Sequence, residues 1–299
     1  MKPYITKAFI FVLGFTLSRC PLWVLRLSVN ALASTALCLL RKRKDLAEKN
    51  IKDSFPSISR HEVTQLTYRS FKRTIEQGLL AFAWPHLNPK RIVKLFSINE
   101  KNKRLLSENQ NPEQGVLWMI PHFCHAETIS LIPYYVPSLE VYALYRPLRN
   151  ETFDRFVKRS RERFGVKTID RKDGGMLKAL RVLKRNKVLA MLFDQNAGGA
   201  GTRMKFLGRE CSCTTLPDIL HKKYKPKVLF VYTTRIGFWR STIEVEQMSP
   251  LADNEMVIQK ANSWLEGKLR YDRNLRESWL WMHQRWKPGS GKPRTRIND

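Results

Sequence analysis

The chain has 299 residues, of which 43% are hydrophobic and 11% aromatic, so it is long and apolar enough to bury a sizeable core. This composition excludes an intrinsically disordered chain and a small disulfide scaffold. The 54 Lys and Arg against 26 Asp and Glu give a formal net charge of +28, which predicts an anionic partner or surrounding. Nucleic acid, an anionic bilayer and an acidic protein all meet that description, and charge alone does not choose between them.

The cysteines argue against a disulfide framework. There are five: Cys20, Cys38, Cys124, Cys211 and Cys213. The number is odd and two lie in an apolar stretch near the start, which favours a reducing compartment. Cys211 and Cys213 have no second Cys or His pair at zinc-binding spacing, so we interpret them as ordinary thiols.

Two apolar runs open the chain, Ala8 to Leu17 and Leu22 to Leu40. A helix over the second run is roughly 28 Å long, close to the hydrocarbon thickness of a bilayer. A basic block, Arg-Lys-Arg-Lys at 41–44, follows directly and suits anionic lipid on a cytoplasmic face. We therefore expect residues 1–45 to form a spanning or embedded membrane anchor. An interfacial helix in the membrane plane and a pair of soluble core helices are the alternatives.

The pattern after the anchor changes from helical to mixed. Residues 46–84 predict two helices with a break at 54–59, the second started by a capping box of Ser59 and Glu62. Beyond them, strands are predicted at 115–120, 141–145, 188–193, 228–234 and 240–246, and helices at 153–164, 176–183, 216–224 and 254–270. This alternation is typical of an α/β domain with a mostly parallel central sheet flanked by helices. We assign residues 46–287 to that domain and 288–299 to a loose C-terminal tail.

The most informative stretch is Pro-His-Phe-Cys-His-Ala-Glu at 121–127, directly after the predicted strand that ends at Ile120. Ligands of α/β proteins bind where strands end and helices begin. Because positions five apart on one helix point about 140° apart, His122 and Glu127 can meet only if His122 lies in the turn before a helix. A carboxylate then holds one imidazole nitrogen, and the other can take a proton from a substrate hydroxyl. A solvated helix start without catalytic function is the alternative.

A helix beginning beside His122 has a further consequence for its protonation. The N-terminus of a helix carries partial positive charge, which disfavours a second positive charge on the imidazole. We therefore expect the ring to be neutral, the form that a general base requires.

The His-x-x-x-x-Glu spacing after an apolar strand, behind a basic block, resembles the motif of the lipid A biosynthesis late acyltransferases, which belong to the lysophospholipid acyltransferase superfamily. Further segments resemble that family in the same order: Arg43-Lys44 with Ala47, Asn50 and Phe55-Pro56; Tyr145-Arg146-Pro147; Arg163-Phe164-Gly165; Asp194-Gln195; Phe206-Leu207-Gly208; and Trp281 to Lys287. The family usually has Gly-His-Phe-Gly-Asn-Trp-Glu, whereas Pro121, Cys124, His125 and Ala126 depart from it here. These departures leave room for a divergent branch with another acceptor.

The resemblance implies an O-acyltransferase with His122 as general base and Glu127 as its orienting partner. Arg163 and Asp194 match two family positions associated with activity. Arg146 is a candidate for binding phosphate, since a guanidinium can make two hydrogen bonds to it. A buried ion-pair network is the alternative role for these last three residues.

The resemblance also implies the partners. The donor is acyl-acyl carrier protein, the acceptor is a hydroxyl of a phosphorylated lipid A precursor, and the location is the cytoplasmic face of the inner membrane. This chemistry requires no metal or organic cofactor, and it leaves nucleic acid as a minor possibility.

Other readings of the sequence stay open at this point. Cys124 as a nucleophile with His122 or His125 leaves Glu127 without a role. The stretch Gly198 to Gly201 lacks the following Lys-Ser or Lys-Thr of a phosphate-binding loop, so we predict a flexible loop there. Another acceptor, such as a glycerophospholipid or a mannosylated lipid, would use the same chemistry. A non-catalytic basic protein that binds membranes or nucleic acid has no need of the ordered motifs.

Overall fold

The computed structural model describes residues 3–109, 113–172 and 174–287, so the predicted tail at 288–299 lies outside the described residues. The α-helices are α1 (Pro3–Arg19), α2 (Leu22–Leu39), α3 (Arg41–Ser54), α4 (Arg60–Ala83), α5 (Pro89–Leu95), α6 (Glu100–Glu108), α7 (Ile132–Tyr135), α8 (Glu151–Glu162), α9 (Gly175–Lys184), α10 (Leu216–Tyr224), α11 (Val257–Tyr271) and α12 (Arg273–Ser278). The strands are β1 (Phe96–Ile98), β2 (Val116–Ile120), β3 (Val141–Tyr145), β4 (Lys167–Asp170), β5 (Val188–Leu192), β6 (Thr202–Phe206), β7 (Arg209–Cys213), β8 (Lys227–Gly237) and β9 (Arg240–Gln247).

Seven strands form one sheet in the order β1-β9-β8-β2-β5-β3-β4, and β6 pairs with β7 in a separate antiparallel hairpin. Within the sheet, only β8 and β9 pair antiparallel among the described strands. The central strand β2 is buried at every position, as expected for a parallel strand covered on both faces. The prediction of an α/β fold with a mostly parallel sheet flanked by helices is confirmed.

Side chains of β2 alternate between two apolar cores. Leu117 and Met119 belong to one buried cluster, and Trp118 and Ile120 belong to the other. Successive side chains of a strand point to opposite faces, so the two clusters lie on opposite faces of the sheet. Helices contribute to both clusters, and the β6–β7 hairpin belongs to the one that contains Leu117 and Met119.

The pairing of β2 with β5 determines which residues meet at the carboxyl edge of the sheet. Ile120 lies opposite Leu192, and the N–H of Phe193 donates to the Ile120 carbonyl at 3.3 Å. His122 and Asp194 stand two residues beyond these paired positions. A parallel register continued past the last pair therefore brings the two side chains together.

The long helix α4 begins as predicted and carries a buried charge. Its capping box is present, with the Ser59 hydroxyl and the Glu62 carboxylate each accepting a hydrogen bond from the other's backbone N–H. Further along, Glu76 is fully buried and accepts from Nε of Arg235 at 3.0 Å and from the N–H of Trp239 at 2.9 Å. Glu76 thereby ties α4 to the β8–β9 turn.

The Glu76 carboxylate is ionised inside the protein. Burial by itself raises the pKa of Glu76, but the contacts with His125, Arg235 and the Trp239 N–H outweigh burial and lower the pKa to about 2. A buried charge of this kind is tolerated because a counter-charge and hydrogen-bond donors surround it.

Helices α1 and α2 both pack on α4. On α2 the buried residues are Leu25, Val29 and Ala33, which repeat every four positions and so lie on one face. By length and composition α2 is the one helix among the described residues that could cross a membrane.

The buried contacts of Glu76 predict a large effect on stability. We expect Glu76→Ala to lower the free energy of unfolding by about 3–5 kcal/mol, because it leaves the Arg235 guanidinium without its counter-charge. Glu48→Ala is the matched control: Glu48 is partly exposed and lies 3.8 Å from Lys44, so its loss should cost about 1 kcal/mol or less. Urea denaturation measures both, and equal losses would contradict the assignment.

Candidate active site

His122 and Asp194 form a hydrogen-bonded pair at the carboxyl edge of the sheet. Nδ1 of His122 lies 2.5 Å from Oδ1 of Asp194, and the His122 backbone N–H donates to Oδ2 at 2.9 Å. The Asp194 side chain is 2% exposed, whereas that of His122 is 23% exposed. An ionised carboxylate only accepts hydrogen bonds, so Nδ1 carries the proton and Nε2 keeps a free lone pair.

Electrostatics in this pair differ from the sequence prediction. Burial raises the pKa of Asp194, but contacts with His122 and the indole N–H of Trp279, 2.8 Å from Oδ2, lower it to about 2. Burial alone lowers the pKa of His122, and the Asp194 charge and hydrogen bond reverse this and raise it. The pKa of His122 is therefore shifted in the direction opposite to the one expected beside a helix N-terminus, because a nearby full negative charge outweighs partial helix charges.

The second ring nitrogen of His122 has a replaceable partner. The side-chain amide nitrogen of Gln195, an exposed residue, lies 3.0 Å from Nε2. With the proton on Nδ1, Nε2 accepts from that amide. A substrate hydroxyl can take the same position once the amide moves aside.

Glu127 contacts Arg161 and not the imidazole. Arg161 donates from Nε at 2.8 Å and from a terminal nitrogen at 2.6 Å to the two carboxylate oxygens of Glu127, a bidentate pair. The prediction of Glu127 as the orienting partner of His122 differs from this geometry, in which Asp194 has that position. The reason is local: residues Ala126–Leu131 form a 3₁₀-helix that packs against α8, where Arg161 lies.

Glu127 nevertheless remains an ionised group of the site. Burial raises the pKa of Glu127, and the charge and hydrogen bonds of Arg161 more than offset this and lower it. The Glu127 charge also helps to raise the pKa of His122. Arg161 escaped the sequence analysis, since nothing in its neighbourhood distinguishes it from the other basic residues of α8.

The loop that carries His122 is held from several sides. His125 adopts a left-handed backbone with φ of 68°, and its N–H donates to the Gln77 side chain. The Thr233 hydroxyl donates to the Cys124 carbonyl at 2.8 Å. These contacts hold the backbone of the loop, although its residues depart from the family pattern.

Two other chemistries fit this loop poorly. Burial, reinforced by the Glu76 charge, raises the pKa of the Cys124 thiol well above its usual range, so the thiolate that a nucleophile requires is disfavoured. Donor atoms of Glu76, Cys124 and His125 lie within 4.8 Å of one another. Because Arg235 already neutralises Glu76 there, a further cation would be repelled.

The aromatic C-terminal segment closes over the loop after β5. His283 Nε2 accepts from the Asn196 N–H at 3.1 Å, and the fully buried Arg285 donates to the Gln195 carbonyl at 2.7 Å. Trp279 is 2% exposed, so this tryptophan-rich segment belongs to the core and positions the Asp194 loop. The sequence of this segment resembles a family motif, but its positioning role is not evident from the sequence.

The remaining predicted site residues lie in different surroundings. Arg163 donates to the backbone carbonyls of Trp84 and, at 2.6 Å, Leu87, so its guanidinium closes the turn after α4. Arg146 is exposed directly after β3 and makes no ion pair within the described residues. The structure therefore leaves Arg146 available to an anionic ligand and commits Arg163 to the backbone.

An apolar cavity of about 220 Å³ opens beside His122, Glu127 and Arg161. Its apolar lining includes Trp118, Ile120, Ile129, Val141, Ala143, Leu144, Val166, Ala190, Met191 and Leu192. Ala143 and Ala190 lie opposite each other on β3 and β5. Two small side chains at paired positions leave space that larger residues would fill.

Comparison with known proteins identifies the family of this chain. The model of the bacterial lipid A biosynthesis acyltransferase family matches residues 2–288. Over 276 residues the chain is 24% identical to the lipid A biosynthesis lauroyltransferase of Escherichia coli (strain K12), covering 86% of this chain and 83% of that protein. Since the family model spans nearly the whole chain, the protein belongs to the bacterial lipid A biosynthesis acyltransferases and is an acyltransferase of that pathway.

Proposed function

We propose that the protein transfers a fatty acyl group from acyl-acyl carrier protein to a hydroxyl of a phosphorylated lipid A precursor, at the cytoplasmic face of the inner membrane. The observation that carries this proposal is the His122–Asp194 pair at the mouth of an apolar cavity. The pair supplies a base, and the cavity suits a hydrocarbon chain. The chemistry that follows uses no metal or organic cofactor.

In the proposed reaction, Nε2 of His122 takes the proton of the acceptor hydroxyl while its oxygen attacks the thioester carbonyl. The tetrahedral intermediate then expels the thiolate of the carrier, which receives that proton from the imidazolium. Asp194 fixes the ring through Nδ1 and stabilises the imidazolium that forms. This is the part that an aspartate plays beside a catalytic histidine in other acyl transfers.

Glu127 and Arg161 form the second charged pair of the proposed site. Glu127 adds negative charge near the imidazolium without touching it. Arg161 keeps that carboxylate ionised and in place. We therefore retain Glu127 in the proposed site as a residue that acts on His122 electrostatically.

Charge supports the proposed partners. A formal net charge of +28 suits an acidic carrier protein, an acceptor phosphate and an anionic membrane together. Arg146 and the neighbouring Arg149 are exposed beyond β3, at the edge of the sheet where His122 lies, and are our candidates for binding acceptor phosphate. Nucleic acid is not a partner in this proposal.

Another membrane acceptor is the second candidate, and one observation favours it. Ala126 lines the cavity at the position where the family motif usually has tryptophan. The smaller side chain leaves more space beside His122, which suits an acceptor of another shape. Mass spectrometry of the host's lipid A and phospholipids, with and without the protein, separates the two: unchanged lipid A with altered phospholipids would favour the second acceptor.

Loss of the proposed base should remove the activity but not the fold. We expect His122→Ala to reduce acyl transfer by about 10²–10⁴-fold, measured with acyl-acyl carrier protein and a phosphorylated lipid A precursor. His61→Ala, at an exposed position of α4, is the control and should keep full activity. Circular dichroism should show both variants folded, and an active His122→Ala variant would contradict the mechanism.

The raised pKa of His122 predicts the pH dependence. Since the base acts when unprotonated, kcat/KM should rise with pH through the pKa of His122. Asp194→Asn removes the charge that raises this pKa, so the rising limb should move to lower pH while the plateau falls by about 10²-fold or more. Gln195→Ala removes only the amide next to Nε2, so its rising limb should stay in place. An unshifted rising limb in Asp194→Asn would argue against the His122–Asp194 pair.

The paired alanines predict acyl-chain selectivity. Ala190→Leu places a larger side chain in the cavity, so we expect a preference for shorter acyl donors with little loss of activity toward the shortest. Competition between donors of different length, read by mass spectrometry of the product, measures this. Equal loss for every chain length would mean that the cavity does not hold the acyl chain.

A further inference from the structure

Helices α1 and α2 turn an uncovered apolar face away from the domain. Phe9, Phe11 and Val12 on α1 are 54–62% exposed, and Trp23 and Leu27 on α2 are 67% and 60% exposed. Most large apolar side chains that the described residues expose lie in these two helices and at Leu40 just after them. Such an exposed patch marks a binding surface. We refer to these five residues as the apolar face.

The opposite face of the two helices is built into the domain. A Cβ at Gly14 would lie 2.4 Å from the Phe82 carbonyl oxygen, so α1 contacts the end of α4 backbone to backbone. Arg91 donates to the Ser18 carbonyl at 2.6 Å. Together with the buried stripe of α2, these contacts make both helices part of the globular domain.

This packing opposes a spanning arrangement. A helix that spans a bilayer is surrounded by lipid or by other apolar elements, but α2 packs along α4, which carries Lys72 and Arg73 near Arg26 of α2. Burial first and then those two arginines lower the pKa of Lys72. If α2 crossed the membrane, this cluster of positive charges would enter the hydrocarbon region with it, which is strongly unfavourable.

We propose that α1 and α2 lie in the membrane plane, docked on the domain, with the apolar face inserted into one leaflet of an anionic bilayer. Charge selects this occupant: Arg41, Lys42 and Arg43 begin α3 directly after α2 and are exposed. Such a basic row suits anionic headgroups beside an inserted apolar surface. A second copy of the chain on the same face would instead bring two basic rows together.

The in-plane placement of α1 and α2 also has a consequence for catalysis, which rests on the proposed function. Arg43 donates to the Met282 carbonyl at 3.3 Å, and Asn50 of α3 donates to the His283 carbonyl at 3.1 Å. The segment that closes over the Asp194 loop is thus joined to the helix that follows the apolar face. The site then lies near headgroup level, where a lipid acceptor presents its hydroxyl and phosphate.

Two native cysteines distinguish the in-plane from the spanning arrangement. Cys20 lies at the α1–α2 junction and Cys38 near the end of α2, both at least partly exposed, while Cys124, Cys211 and Cys213 are buried. Cys38→Ser and Cys20→Ser each leave one accessible thiol for a fluorescent label in the full chain. The labelled proteins are bound to vesicles of phosphatidylglycerol and phosphatidylethanolamine.

We expect both labels to show the same shallow depth by quenching with lipids brominated along the tail, and iodide added outside to reach both equally. If one label is protected until the vesicles are permeabilised, α2 spans the bilayer and the proposal is overturned. This result is independent of catalysis, since acyl transfer assayed on detergent-dispersed substrate tests the proposed function separately.

A second set of variants tests the surface itself. Trp23→Ser combined with Leu27→Ser should weaken co-sedimentation with these vesicles by about tenfold, and so should Arg41→Glu, Lys42→Glu and Arg43→Glu combined. Tyr271→Ser, at a 90% exposed aromatic outside the apolar face, is the control and should bind normally. Vesicle binding that none of these changes weakens would overturn the proposal, as would a detergent-free dimer held by this face without binding to vesicles.

Discussion

The buried carboxylate of Asp194 is the group on which the candidate active site depends. A negative charge at this depth is stable only because the backbone and ring of His122 and the indole of Trp279 all donate to it. These donors lie far apart along the chain. The register of β2 with β5 supplies the histidine, and the C-terminal segment supplies the tryptophan, so the sheet, the site and the terminus form one unit.

Two further carboxylates show how surroundings assign different tasks to one chemical group. Glu76 is compensated by Arg235 and a backbone N–H and ties α4 to the β8–β9 turn beside the loop that carries His122. Glu127 is compensated by Arg161 at the mouth of the cavity. Asp194, Glu76 and Glu127 are thus each paired with a cation or with N–H donors. Nε2 of His122 contacts a side-chain amide, which a substrate can displace. A general base needs such an accessible nitrogen to accept the substrate proton.

The fold places parts of the excess positive charge in two separate regions. One part lies at the start of α3, beside the uncovered apolar side chains of α1 and α2, and another lies beyond β3 at the carboxyl edge of the sheet. Anionic lipid and acceptor phosphate can therefore be met by different regions of one surface. The same fold gives the tryptophan-rich terminus a role in the core, since Trp279 and Trp281 are buried.

Local pattern by itself determined much of this protein: the α/β class, the capping box at Ser59, strand β3 and helix α10 at their observed bounds, and His122 at a strand end. The strands β1, β4, β6 and β7 were not predicted, because β1 and β4 have only three and four residues and β6 and β7 are rich in polar residues, so no apolar run marks them. Only the tertiary structure decided that Asp194 holds His122, that Glu127 pairs with Arg161 and that α2 packs on α4. The physical reason is distance along the chain: His122 and Asp194 are 72 positions apart, and their contact follows from strand register and burial, which local spacing does not encode.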